Sequence, residues 1–181
     1  AQADRRQYGF NAVCLLLANL YGPGDNFDPA SSHVIPALVR RCLEAAWEGN
    51  SVVDAWGSGN ASRDFLYVED AAEAIVLAAE RYDGAEPVNV GSGREVTIRE
   101  LAAMIAGITG FTGEIRWDAS RPDGQPRRRL DISRAERELR FRPRTALEDG
   151  LRSTVEWCRA VPATRRGGDG EREVMSYERL R

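Results

Sequence analysis

Residues Ala12 to Leu20, A-V-C-L-L-L-A-N-L, form a nearly continuous apolar run that stops at Tyr21-Gly22-Pro23-Gly24. A run of this length without polar alternation is the pattern of a strand covered on both faces, as in a parallel sheet. Parallel neighbours need crossover connections, so helices must alternate with strands along the chain. The carboxyl end of such a strand is also where open α/β sheets bind ligands.

The rest of the sequence supplies that alternation. Ser31 or Ser32 is placed to cap a helix running to about Glu48, with Pro36 early enough to be tolerated near its first turn. Val52 to Trp56 reads as a strand, Gly57-Ser58-Gly59-Asn60 as a turn, and Phe65 to Val68 as a second strand. Asp70 is expected to cap a helix whose apolar stripe is Ala71, Ala74, Ile75 and Ala78. Pro87 to Val90 is a third strand, closed by Gly91-Ser92-Gly93. Thr97-Ile98-Arg99-Glu100 is a capping box ahead of the stripe Ile98, Leu101, Ala102 and Ile105. Glu114 to Trp117 reads as a strand, and a last helix over 147–159 buries Leu147, Leu151, Val155 and Cys158. The fold class is therefore α/β, with a mixed subdomain appended after the first strand and helix. No period of 20 to 50 residues recurs, which argues against a solenoid. From Val161 to Arg181 the apolar periodicity is lost, and this tail is expected to be disordered.

Composition narrows the function classes. The 25 basic residues are all arginine, interspersed with 28 acidic ones, for a net charge of −3. Nothing resembles the basic stripe of a nucleic-acid binder. No apolar run approaches the ~20 residues needed to span a bilayer, and the chain reads as cytoplasmic. Cys14, Cys42 and Cys158 are odd in number and widely spaced, which fits reduced core thiols better than a disulfide frame or a metal site. The absence of lysine means that a scheme requiring a Lys amine cannot be completed by these residues. The chain begins at Ala1, and it is expected to be the C-terminal part of a longer polypeptide.

Two groups of residues carry candidate chemistry. His33, the sole histidine, falls at the opening of a helix, where the positive end of the dipole favours the neutral, proton-accepting imidazole. Asn19 follows the apolar strand and is placed to hydrogen-bond a cofactor or substrate. The second group is Arg41, Trp56, Arg63, Arg121, Asp123 and Arg127. Guanidinium forks bind phosphate oxygens bidentately and an indole packs on a ring face, so this set suits a nucleoside diphosphate. Solvated surface arginine is the better reading of Arg128, Arg129 and the run from Arg134 to Arg144. Tyr21 has no Lys four residues on and is read as a packing residue. Gly91-Ser92-Gly93 lacks both a third glycine and a P-loop Lys, so it is read as a tight turn.

Together these motifs resemble the extended short-chain dehydrogenase/reductases that act on nucleotide sugars. Within them the chain is most similar to the bifunctional GDP-4-keto-6-deoxymannose epimerase-reductases. The resemblance runs from about Arg5 to Ala160 and rests on N-L-Y-G-P-x-D-N-F, S-H-V-I-P-A-L-x-R-R, W-G-x-G-x-x-x-R-D-F-L-Y-V, N-V-G-S-G and R-P-D-G-x-P-R. It implies the C-terminal part of a Rossmann-like fold plus a smaller substrate subdomain over residues 1–160. It further implies that His33 is one of two acid/base groups at C3 and C5 of a keto-sugar, the other being a cysteine that none of the three here matches. By the same resemblance Leu17, Ala18, Asn19 and Leu20, with His33, line the nicotinamide site of NADP(H), although this chain has Leu17-Ala18 where relatives carry Pro-Thr. Arg41, Trp56 and Arg63 match contacts to the GDP-sugar, and the intact protein is expected to be a homodimer. The Tyr-x-x-x-Lys pair and the Gly-rich dinucleotide turn of the family are not in these 181 residues. The chain alone is expected to be inert, with an unpaired sheet edge. Two other readings are a 4-epimerase or dehydratase on the same scaffold and a non-catalytic sugar-nucleotide-binding module.

Overall fold

The computed structural model describes residues 2–161. Apart from Val161, the expected disordered tail lies outside the described residues.

The elements follow in chain order: α1 (Gln2–Tyr8), β1 (Leu15–Leu17), β2 (Asn19–Tyr21), α2 (Val34–Glu48), β3 (Val52–Trp56), β4 (Ser62–Arg63), β5 (Phe65–Tyr67), α3 (Val68–Arg81), β6 (Val88–Val90), β7 (Val96–Thr97), α4 (Ile98–Thr109), β8 (Glu114–Asp118), β9 (Arg127–Arg128), a π-helical turn (Ala135–Leu139) and α5 (Leu147–Ala160). Strand pairing is largely parallel. β1 pairs with β6, Leu16 opposite Asn89; β2 pairs with β5, Leu20 opposite Leu66; β3 pairs with β8, Asp54 opposite Arg116. β4 lies between β9, parallel, and β7, antiparallel. The alternating α/β reading holds.

The apolar run Ala12 to Leu20 is two strands rather than one. At Ala18 the chain changes partner: the Ala18 N–H donates to Val90 O at 2.8 Å, and the Asn19 N–H donates to Asp64 O at 3.2 Å. Nor are both faces covered, since Leu16 and Leu20 are 49% and 38% exposed.

Two cores result. The larger packs α2, α4 and α5 against β3, β8 and the strand end at Tyr21, with Val39, Cys42, Leu101, Ile105, Leu151 and Val155 fully buried. Each such aliphatic side chain contributes about 1.5–3 kcal/mol over an exposed one. The smaller core sets β1, β6 and α3 against the π-helical turn through Leu66, Ala74, Val88, Val90, Leu139 and Phe141. Burial raises the Cys42 thiol to about 11, opposed by a hydrogen bond with Thr109, which keeps it an inert core thiol.

Several helix ends differ from expectation. The capping box is present: Thr97 Oγ1 accepts the Glu100 N–H at 3.1 Å, and Glu100 Oε2 accepts the Thr97 N–H at 2.9 Å. The N-cap of α2, however, is His33, while Ser31 Oγ donates to Asp28 Oδ2 at 3.0 Å. Asp70 lies inside the first turn of α3, whose N-cap is Tyr67, and its two oxygens accept the Arg144 and Thr145 N–H groups at 3.2 and 3.1 Å. It clamps the approach to α5. Ile75, assigned to the buried stripe, is 49% exposed. The segment from Arg134 to Arg144, read as surface arginine, contains Ala135, Leu139 and Phe141 in the core.

Candidate active site

The carboxyl end of β2 opens into the loop 22–33, and this loop is built largely from its own short polar side chains. Asp28 Oδ1 accepts the Ala30 N–H at 2.9 Å, Asn26 Oδ1 accepts the Asp28 N–H at 3.0 Å, and Asn26 Nδ2 donates to Ser31 Oγ at 2.9 Å. Phe27 anchors it, buried and stacked on Trp157 of α5 with ring centroids 5.6 Å apart. Chain direction then turns into α2, and His33 stands at the junction with an extended backbone.

His33 shares the wall of a cavity of about 600 Å³ with Ala18, Asn19, Leu20, Asp25, Trp56, Arg63, Phe65, Ile98 and Asp123. That volume is in the range of sites for small organic ligands. The strand ends, the opening of α2 and the loop after β3 therefore converge, as the sequence reading expects. The His33 ring makes no hydrogen bond to a described residue. Asn19 Nδ2 donates to Asp64 O at 2.9 Å, which fixes the amide and leaves its oxygen available to a ligand. Arg63 Nη1 donates to Ser62 O and Gln125 O at 2.7 and 2.6 Å, so the guanidinium is held against the mouth of the cavity.

Trp56 is 65% exposed, and the Arg121 guanidinium lies 5.1 Å from its ring centroid. The two loops that carry this pair are joined through Asp123, whose Oδ1 accepts the Ser58 N–H at 2.6 Å and whose Oδ2 accepts the Ser58 hydroxyl at 2.7 Å. These bonds hold the Asp123 carboxyl below its usual range. Asp123 thus supports the site as a tie between loops. Arg41 lies in an adjoining groove of about 310 Å³ that also touches His33 and Trp56, and its Nη1 donates to Asp54 O at 2.9 Å.

Two expected site residues are elsewhere. Leu17 is half-buried against the smaller core and does not line the cavity. Arg127 pairs with Glu95, Nη2 to Oε2 at 2.8 Å, on a different face near Ser92 and Arg129. Its strand places it one register step from the arginine that does reach the cavity, Arg63, which pairs with Arg128. Sequence reasoning also missed Asp25, whose Oδ2 is buried without a hydrogen-bond partner. The signal was present in the G-P-G-D-N-F turn, but an acidic residue in a turn is ordinarily a solvated one.

Two further readings are decided by contacts. Asp64, fully buried, accepts from Ser92 N–H at 2.9 Å, Ser92 Oγ at 2.6 Å and Gly93 N–H at 3.3 Å. The Ser92 and Gly93 amides are filled from within, so the turn is no phosphate cradle. Tyr21 is a packing residue: it is 3% exposed, edge-on to Tyr67 at 5.7 Å, and burial drives its phenol well above the usual range.

Parallel strand ends open on a cavity that gathers a histidine, an amide, an exposed indole and an arginine, where open α/β sheets hold their ligands. Residues 1–91 match the family model described as the NAD dependent epimerase/dehydratase family, and the chain belongs to that family. It is 48% identical over 156 residues to GDP-L-fucose synthase 1 of Arabidopsis thaliana, covering 86% of this chain and 48% of that protein. Among solved structures it resembles UDP-glucose 4-epimerase from Thermotoga maritima with UDP-glucose, at a TM-score of 0.76 and 33% identity over 86% of this chain and 48% of that one. It also resembles a GDP-L-fucose synthetase from Naegleria fowleri bound to NADP, at a TM-score of 0.74 and 31% identity over 80% and 46% of the two chains. The chain spans about half the length of the curated relatives it matches. No described helix is long and apolar enough to cross a membrane.

Proposed function

We propose that this chain is the sugar-nucleotide-binding part of an NADPH-dependent GDP-4-keto-6-deoxymannose epimerase-reductase, a GDP-L-fucose synthase. The observation that carries the reading is the placement of His33, without a hydrogen bond to any described residue, in one cavity wall with Asn19, Trp56 and Arg63. Its support is the 48% identity to the plant fucose synthase.

In this reading His33 accepts and returns the protons next to the C4 ketone, whose carbonyl stabilises the enolate formed at C3 or C5. Arg63 and Arg121 hold the diphosphate, and Trp56 packs on a ring of the nucleotide-sugar. Arg41 approaches from the adjoining groove. Ala18, Asn19 and Leu20 fit one edge of a nicotinamide: an apolar strand end with one amide oxygen free to accept. NADPH, when bound, supplies the hydride for C4. A Tyr-x-x-x-Lys pair and a Gly-rich turn would have to come from outside these residues, so the chain by itself is inert. We place the intact protein in the cytoplasm as a homodimer.

The test replaces His33 by Gln in a polypeptide that carries the remaining length of the relatives. Exchange of the C3 and C5 hydrogens with deuterated water is expected to fall by about 10²–10⁴-fold, the usual weight of a general base, while reduction of the ketone continues. The likeness to UDP-glucose 4-epimerase favours a second reading, a 4-epimerase with no use for His33. Unchanged turnover of UDP-sugars by the His33→Gln protein would establish that reading in place of the first.

A further inference from the structure

Asp25 is the one acidic side chain of the cavity whose oxygens are not both accounted for. Its Oδ1 accepts the Asn26 N–H at 2.7 Å, whereas Oδ2 is buried with no partner. An acceptor left in this condition is costly, more so when charged, so a donor is to be looked for nearby. Asn19 Nδ2 donates to Asp64 O and Arg63 Nη1 to two carbonyls, and neither donates to Asp25. His33 lines the same wall with its ring uncommitted. Burial raises the Asp25 carboxyl, while the Asn26 N–H and then the charge of His33 lower it, so the two groups already interact.

We infer that Asp25 is the positioning residue of His33: with a turn of the imidazole, Oδ2 accepts the Nδ1–H, which leaves Nε2 unprotonated and facing the cavity. Nδ1 is the ring nitrogen nearer the backbone and Nε2 the one at the tip, so a bond made at Nδ1 leaves Nε2 free for a ligand. A carboxylate behind an imidazole fixes its tautomer and stabilises the imidazolium formed when the exposed nitrogen takes a proton. The proton taken from the substrate carbon goes to Nε2, the electron pair of the broken C–H bond goes into the enolate, and Asp25 itself is not protonated. This inference rests on the proposed role of His33.

The chain's single histidine makes the test direct. In nitrogen-15-labelled protein above the imidazole titration, the two-bond proton–nitrogen pattern of His33 reports which nitrogen carries the hydrogen. The expected result is a majority of the Nδ1–H form, the tautomer a free imidazole populates less, and reversal of the ratio in both Asp25→Asn and Asp25→Ala. A majority of Nε2–H in the unsubstituted chain, or a ratio that neither substitution moves, overturns the assignment. The unsubstituted chain decides the matter even where a variant fails to fold. Failure here leaves His33 free to act as a base, so the proposed function stands or falls separately, on hydrogen exchange at C3 and C5.

Discussion

The two cores of this molecule are built on different principles. Around α2, α4 and α5 every helix presents one apolar face, that face is covered, and three of the ends are closed: a capping box at Thr97 and left-handed glycines at Gly49 and Gly110. Around β1, β6 and α3 the buried side of the helix is alanine, Ala71, Ala74 and Ala78, and the larger residues point away: Ile75 and Val76 are 49% and 55% exposed, beside Leu16 at 49%. A helix that carries small residues on its covered face and branched ones on the other has two surfaces to pack. The first core is complete among the described residues; the second has an apolar face without a described cover.

Substitutions should separate the two. Leu101→Ala, in the centre of the first core and fully buried, is expected to cost about 4 kcal/mol in urea unfolding, near the top of the range for leucine truncation. A loss under about 1 kcal/mol would mean that this core is not closed. Asp64→Ala removes the acceptor that ties the Gly91–Gly93 turn to β4 and β5, leaving the Ser92 and Gly93 N–H groups unpaired and the Ser92 hydroxyl with only its 3.4 Å bond to Arg94 O. The expected loss is about 2–3 kcal/mol, with hydrogen exchange accelerated at Ser92 and Gly93. Ile75→Ser is the sharpest probe of the contrast. In the chain as described it should shift stability by less than about 0.5 kcal/mol, because the side chain already meets solvent. A destabilisation of about 2 kcal/mol would show that something covers this face.

Legibility in the sequence followed the same division. The stripe Leu101, Ala102 and Ile105, the box at Thr97 and the helix ending near Ala160 were readable because each is decided by residues within a few positions. What could not be read depends on distant partners. An apolar run reports burial but not which strand lies alongside, so the change of partner at Ala18 left no mark in residues 12–20. Periodicity places Ile75 in the stripe, one position from Ala74, but width of the stripe is not depth of burial. Phe141 escaped notice amid arginines, since a π-helical turn has no familiar spacing. At the candidate site, His33, Asn19, Trp56 and Arg63 were named from local motifs and meet in space. Arg127 was named on chemistry alone and turns out to be engaged with Glu95. Asp25 required the opposite route: only an unpartnered buried oxygen distinguishes it from any other acidic turn residue.

The partner exchange at Ala18 also sets how the cavity bears disturbance. Its floor hangs between two anchorages, one through Val90 in the smaller core and one through Asp64, which leads into β5, whose Phe65 and Tyr67 belong to the larger. Slackening either support would tilt Asn19 and Leu20 without unseating them, as a plank held at both ends sags before it drops. A ligand pressing on that floor would therefore be felt in both halves of the molecule at once, through a span only two residues long.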